Sequence, residues 1–280
     1  MSTPRITLND NTSIPQFGLG VWQVRAAETE QVVTDALEIG YRHIDTAQMY
    51  GNEAGVGAAI AKSGLAREDL YVTTKLNNNN HQKARESLEV SLDKLGLEKV
   101  DLFLIHWPLP TRYDGDFVST WETLVELRED GLITSIGVSN FQPDHLDRIV
   151  SATGVVPVVN QIEAHPYFAN EAARAATARH GAHVEAWSPL GQGGGELEDP
   201  VVTGVAESHG KSPAQVLLRW ALDRGDIVFP KSVRKERLAE NFDVFDFALT
   251  AEEVAALAEL DKGEGGRQGP NPDTFDWIPS

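Results

Sequence analysis

Eight short runs of β-type residues recur along the whole chain, and helical spacing fills the stretches between them. The runs are Gln16–Gly20, Arg42–Asp45, Leu70–Lys75, Asp101–His106, Ile133–Ser139, Val158–Gln161, His183–Trp187 and Asp226–Pro230. Between them, Val32, Val33, Ala36, Leu37 and Ile39 make one apolar helical face; Leu88, Val90, Leu92, Leu95 and Leu97 make a second; Ala214, Val216, Leu217, Trp220 and Ala221 make a third. Gly40, Gly64, Gly96 and Gly131 each follow a helical stretch, where a left-handed residue is wanted. Pro143 and Pro213 open helices behind polar residues such as Asn140 and Ser212. Strands that alternate with helices imply a parallel sheet with right-handed crossovers.

An open doubly wound sheet and a closed (β/α)8, or TIM, barrel both fit that order. Two features favour the barrel. The strands are spread evenly with no linker between halves, and no Gly-x-Gly-x-x-Gly turn follows the first strand. The nearest approach, Gly18-Leu19-Gly20, runs on into Val21-Trp22-Gln23 without a third glycine. The chain is thus read as one barrel over residues 1–280. A small hairpin in residues 1–16 closes its floor, and a Gly/Pro-rich loop over residues 263–280, carrying Phe275 and Trp277, lies at its mouth.

The chain has no cysteine, which removes disulfides, thiol catalysis and thiolate-bound zinc, and fits a reducing cytosol. Met1 to Asn11 lacks the pattern of a signal peptide, and no apolar stretch is long enough to span a bilayer. A formal net charge of −18 repels nucleic-acid phosphates and anionic membranes. An anionic ligand then needs a local basic pocket, and the cluster from Lys231 to Arg237 is the one that stands out. No dimerisation helix is evident, so a monomer acting on a small molecule is expected.

In such barrels the active site lies where the strands end. Strand two ends in Asp45 with Tyr50 just beyond, strand three in Lys75, strand four in His106. Strand five ends in Ser139-Asn140, strand six in Asn160-Gln161, strand seven in Trp187, and strand eight runs into Pro230-Lys231-Ser232. A charge closing a strand is usually just solvated, so the signal is convergence: Asp, Tyr, Lys and His come from three consecutive β/α units at one end. A tyrosine phenol, with a pKa of about 10, is a poor acid near neutrality. A nearby ammonium lowers that value, and a two-unit drop takes about 2.7 kcal/mol of differential interaction. Asp45 would keep a buried Lys75 charged, and His106 would orient a substrate oxygen.

These residues carry a family resemblance. Ile44-Asp45-Thr46-Ala47-Gln48-Met49-Tyr50-Gly51-Asn52-Glu53 resembles the signature of aldo-keto reductases, and Leu104-Ile105-His106-Trp107-Pro108 resembles their histidine strand. Gly137-Val138-Ser139-Asn140-Phe141, Asn160-Gln161-Ile162-Glu163, and Pro230-Lys231-Ser232-Val233 through Arg237-Leu238-Ala239-Glu240-Asn241 follow in family order, with the bacterial 2,5-diketo-D-gluconate reductase type the most similar subgroup. The resemblance implies NADPH-dependent reduction of aldehydes or ketones without a metal. Tyr50 is the general acid, Lys75 and Asp45 its partners, and His106 the orienting group. It also implies that Trp187 stacks on the nicotinamide, that Ser139, Asn140 and Gln161 bond its carboxamide, and that Gly20, Val21, Ser188, Leu190 and Val233 complete the cofactor contacts. Glu240 and Asn241 would meet the adenine. Met49, in place of an aliphatic residue, and Trp187, where many relatives have tyrosine, are the departures.

The cofactor phosphate also has a physical argument. Ser232 is expected as an N-cap, which aims backbone N–H groups at an anion, with Lys231, Arg234 and Arg237 around it. Trp22, Tyr50, His106, Trp107 and Trp277, with Phe275, are expected to line the substrate side. The alternatives are a class I aldolase using Lys75 as a Schiff base, which needs a neutral lysine, and a cofactor-binding regulatory protein on the same fold. A metal hydrolase would need His180 and His183 at the opposite barrel end.

Overall fold

The computed structural model describes residues 3–279. Strands β1 (Arg5–Thr7) and β2 (Ser13–Pro15) pair as the expected antiparallel hairpin. Eight parallel strands follow in one sheet, in chain order: β3 (Leu19–Gly20), β4 (His43–Asp45), β5 (Tyr71–Leu76), β6 (Val100–Ile105), β7 (Ile133–Ser139), β8 (Val159–Glu163), β9 (His183–Trp187) and β10 (Ile227–Val228). The sheet closes on itself. Phe17 bridges Val228 in parallel, with Gly18 N donating to Val228 O at 2.8 Å and Val228 N to Gln16 O at 3.0 Å. This is the (β/α)8 barrel.

Gly18 and Gly20 are spacing devices at this seam, not a phosphate loop. A Cβ on Gly18 would come within 2.8 Å of the His43 ring, and one on Gly20 within 2.6 Å of Phe229 O. Only a residue without a side chain lets β3 approach both neighbours.

The helices that matter for the site are α1 (Ala26–Ile39), α2 (Glu53–Lys62), α3 (Ala84–Leu95), α4 (Val118–Glu129), α5 (Pro143–Thr153) and α6 (Glu171–Arg179). Two helices, α7 (Pro200–His209) and α8 (Pro213–Asp223), fill the gap between β9 and β10, and α9 (Lys235–Phe242) and α10 (Ala251–Ala258) come last. Ser212 caps α8, with Gln215 returning a bond to its backbone. The cap before Pro143 is Gln142 rather than Asn140.

Two cores separate by the two-residue period of a strand. Val72, Leu76, Phe103, Ile105 and Val138 join the helices in the large outer core. Tyr71, Leu102, Leu104, Val159 and Ile227 fill the barrel's interior, with Leu8 and Ile14 of the hairpin beneath them. The hairpin is therefore the floor, and His183, bonded to Thr7 O, sits at that end. No helix among the described residues is long and apolar enough to cross a membrane.

Candidate active site

The inward period carries the chemistry upward from the apolar floor. His43 and Asp45 share the inner face of β4; Tyr71, Thr73 and Lys75 share that of β5; Glu185 and Trp187 share that of β9. His106 follows β6 on the face of Leu102 and Leu104. Asp45 and Lys75 are almost wholly buried, at 2% and 0% exposure. Their salt bridge is 2.6 Å long, and the Lys75 ammonium also donates to Thr46 O at 2.9 Å and to the Tyr50 hydroxyl oxygen at 3.5 Å. The rings of Tyr50 and His106 meet edge to face, 5.7 Å between centroids. The four residues drawn from three β/α units thus form one cluster.

Burial works against the Lys75 ammonium, but the Asp45 carboxylate and the Tyr50 phenol outweigh it and hold its pKa above the ordinary lysine value. A lysine held charged is no amine nucleophile, which removes the chemical basis for the aldolase reading. Burial, aided by the Lys75 charge, holds His106 well below the ordinary histidine range, so it is neutral at pH 7. Tyr50 departs from expectation. Burial raises its phenol above the ordinary value; Lys75 pulls it down, and Asp45 pushes it up again. The expected net lowering ignored both desolvation and the counter-ion. In the free protein Lys75 limits the rise instead of reversing it.

A cleft of about 820 Å³ opens over this cluster. Tyr50, His106, Ser139, Asn140, Gln161 and Trp187 all face it, as do Gly20, Ser188 and Leu190. Asn140, with φ +64°, donates to His106 O and to Ser139 Oγ, both at 3.0 Å, while its oxygen accepts from the Trp187 indole at 2.8 Å. The indole is thereby locked in orientation. The Gln161 amide nitrogen donates at 2.9 Å to both Asp45 and Glu185. Both amide hydrogens are used, and among the described residues the Gln161 side-chain oxygen has no protein donor.

A second cleft of about 470 Å³ adjoins the first, and Leu190 and Lys231 line both. Ser232, Val233, Arg234, Arg237, Glu240 and Asn241 line it, as expected. Among the described residues Lys231, Arg234 and Arg237 are in no salt bridge, though Lys231 helps to lower the Glu28 carboxyl, whereas Lys235 is tied to Asp35 and Glu38. Ser232 is not the helix cap. Its hydroxyl accepts from Arg234 N at 3.2 Å inside a turn, and α9 begins three residues later, behind Arg234. Val21 borders neither cleft; its side chain is buried in the outer core.

The rim is aromatic. Trp22 and Trp277 are 44% and 51% exposed, and Phe275 packs on Trp107 with centroids 4.2 Å apart. The tail that brings Phe275 and Trp277 there is pinned at both ends. Asn78 donates to Trp277 O at 3.0 Å, and buried Glu163 accepts from Gln268 N at 2.7 Å and Gly269 N at 3.0 Å. His165 bridges Glu163 and Glu196, all three fully enclosed, and those carboxylates hold it charged with a pKa of about 9 despite burial. This cluster and Glu185 were missed because they sit below or beside the strand ends.

A family model described as the aldo/keto reductase family matches residues 15–262. The chain belongs to the aldo/keto reductase family. An aldo-keto reductase of Mycolicibacterium smegmatis is 52% identical over 278 residues, covering 99% of each chain. Methylglyoxal reductase DkgA of Escherichia coli K12 is 48% identical over 271 residues, 96% of this chain and 97% of that one. The apo crystal structure of Gox0644 superposes with a TM-score of 0.94 at 44% identity, covering 99% of this chain and 100% of the other; a variant of Gox0644 in complex with NADPH gives the same values. Membership of this family makes the chain an oxidoreductase of carbonyl compounds.

Proposed function

We propose that this protein reduces aldehydes and ketones, dicarbonyls and keto-sugars among them, with NADPH as reductant and Tyr50 as proton donor. The observation that carries the reading is the buried Lys75 ammonium, bonded to Asp45 and reaching the Tyr50 oxygen directly under the cleft. Because Lys75 donates into that oxygen, the phenol's own hydrogen is left to donate to a substrate oxygen. Neutral His106 beside it offers a ring N–H to the same oxygen and fixes the carbonyl's orientation.

Two features suit the cofactor. Lys231, Arg234 and Arg237, in no salt bridge among the described residues, give an acidic protein a place for a phosphate, and the Gln161 side-chain oxygen suits a carboxamide N–H. The bound NADPH supplies the hydride. Trp187, with its indole fixed by Asn140, offers a flat face for the nicotinamide, and Ser139, Asn140 and Gln161 surround its carboxamide. Ser188, Leu190 and Gly20 flank the nucleotide; Val233, Glu240 and Asn241 lie at the adenosine end with Ser232. Val21 then acts through its backbone, between Gly20 and Trp22. Trp22, Trp107, Phe275 and Trp277 form the substrate side. The whole of the site comes from one barrel and its tail, in keeping with a monomer, and the lack of cysteine suits the cytoplasm.

The test is NADPH consumption with methylglyoxal and a panel of aldehydes, in the natural protein and in Arg237→Ala. Turnover is expected with the natural protein. The variant should lose NADPH affinity about tenfold or more, the worth of a charge-assisted contact, with little change for NADH. Equal losses for both cofactors would count against a phosphate site at Arg237. Cofactor binding with no turnover across the panel would favour a regulatory role.

A further inference from the structure

Beneath the cleft the charges of Lys75, Asp45 and Glu185 do not balance. Among the described residues Lys75 is the one cation bonded there, and two carboxyl groups, Asp45 and Glu185, stand within reach of a single amide nitrogen, that of Gln161, at 2.9 Å each. Glu185 is fully buried on the inner face of β9, one inward layer below Trp187. Asp45 takes the ammonium directly. The second oxygen of Glu185 has no hydrogen-bond partner among the described residues. With both carboxylates ionised, a dry site would carry one uncompensated negative charge, a costly arrangement. Of the two carboxyl groups, Glu185 is the one without the ammonium contact and so the one placed to keep a proton. Burial first, then the Asp45 charge, pushes its carboxyl up to about 8, while Gln161 and Lys75 pull the other way.

The cofactor reading given above puts the nicotinamide against Gln161 and Trp187, and the inference rests on that reading. The reduced ring is neutral and the oxidised ring is cationic. We propose that Glu185 is a positioning residue whose charge follows that of the ring: a protonated acid beneath the reduced cofactor and a carboxylate beneath the oxidised one. It acts through Gln161, which touches both the carboxyl group and the cleft. A cationic ring supplies the missing positive charge, so Glu185 releases its proton to solvent when the oxidised cofactor binds, and the reduced cofactor draws no such release. As a carboxylate it is also acceptor only, which fixes the Gln161 amide with its oxygen toward the cleft.

The groups that bear on Glu185 are Asp45 from β4, and Lys75 and Tyr71 from β5. Tyr71 is raised well above the ordinary phenol value by burial, and Lys75 is also raised, so neither titrates near pH 8. His106 is neutral throughout that range. His165, at about 9 between Glu163 and Glu196, titrates near it, and lies under the tail. The 2′-phosphate is common to both cofactor forms and cancels in a ratio of affinities.

The experiment is a titration of the natural protein with NADP⁺ and with NADPH, followed by tryptophan fluorescence, from pH 6.5 to 9.5. The preference for NADP⁺ over NADPH should grow by about tenfold across that range, the scale expected for one charge acting over several ångströms of protein. In Glu185→Gln, which keeps an accepting oxygen and cannot ionise, the ratio should be flat while both cofactors still bind. A slope that persists in that variant would assign the effect to His165 or another group and overturn the proposal, as would a flat ratio in the natural protein. Calorimetry of the natural protein at pH 7.5 in buffers of different ionisation enthalpy needs no variant. It should find more protons released by NADP⁺ than by NADPH; equal release would overturn the proposal. Failure of either nucleotide to bind the natural protein would instead refute the cofactor reading itself.

Discussion

Tyr50→Phe is expected to bind NADPH as the natural protein does and to lose turnover by about 10²–10⁴-fold, the range for removing a positioned general acid. The hydroxyl is the only atom group deleted. The ring keeps its edge-to-face contact with His106 and its place beside Lys75, whose nearest bonds are to Asp45 and Thr46. Stability should therefore change little. Steady-state turnover and fluorescence titration on the same preparation separate the two effects. A variant that retains a tenth or more of the activity would mean that another group, His106 or a water, delivers the proton.

Lys75→Met should fail in a different way. Its ammonium is fully buried and is, among the described residues, the only cation bonded to Asp45, so the substitution strands a carboxylate in a dry barrel. Breaking a buried pair by removing one partner costs about 3–5 kcal/mol, and urea denaturation should read a loss of that size. Turnover should also fall, because the phenol loses the group that opposes its upward shift, with the loss in Tyr50→Phe as the bound for that effect. A loss of stability below about 1 kcal/mol would indicate an interaction of the surface type, at odds with the burial found here. The contrast between the variants is informative: one removes the acid and leaves the fold, the other removes the charge that supports both.

The alternation of strands and helices made the barrel legible, since period-two and period-3.6 runs differ in ways that survive the loss of three-dimensional information. Strand ends were less secure. β8 extends through Glu163 because its partner β9 pairs Glu163 with Trp187, a long-range fact. The first and last strands are short because they meet at the seam, where backbone bonds from Gly18 and Val228 complete the closure. Asp45, Tyr50, Lys75 and His106 were legible because the fold brings the ends of its strands together.

What the strand ends could not reveal lies one layer down. Glu185 sits two residues before the end of β9, where an apolar partner would have seemed natural, and its significance appears only when Asp45 and Gln161 are seen around it. The Glu163–His165–Glu196 cluster joins segments about thirty residues apart and holds the tail by its backbone, which no local pattern encodes. Ser232 shows a different limit: a serine before a helix can cap it or close a turn ahead of it, and both begin with the same residues. The direction of the Tyr50 shift was misjudged for a physical reason. A pairwise charge argument leaves out the desolvation that the same burial imposes.

The most direct probe of the account is the alkaline limb of kcat/KM for carbonyl reduction when Tyr50 alone is replaced by fluorinated tyrosines of increasing acidity. If the Tyr50 hydroxyl supplies the proton, the limb moves to lower pH in step with the acidity of the phenol, because the acid is lost as it ionises. A limb that stays where it is in the natural protein, whatever phenol stands at position 50, would contradict the role of this residue as proton donor.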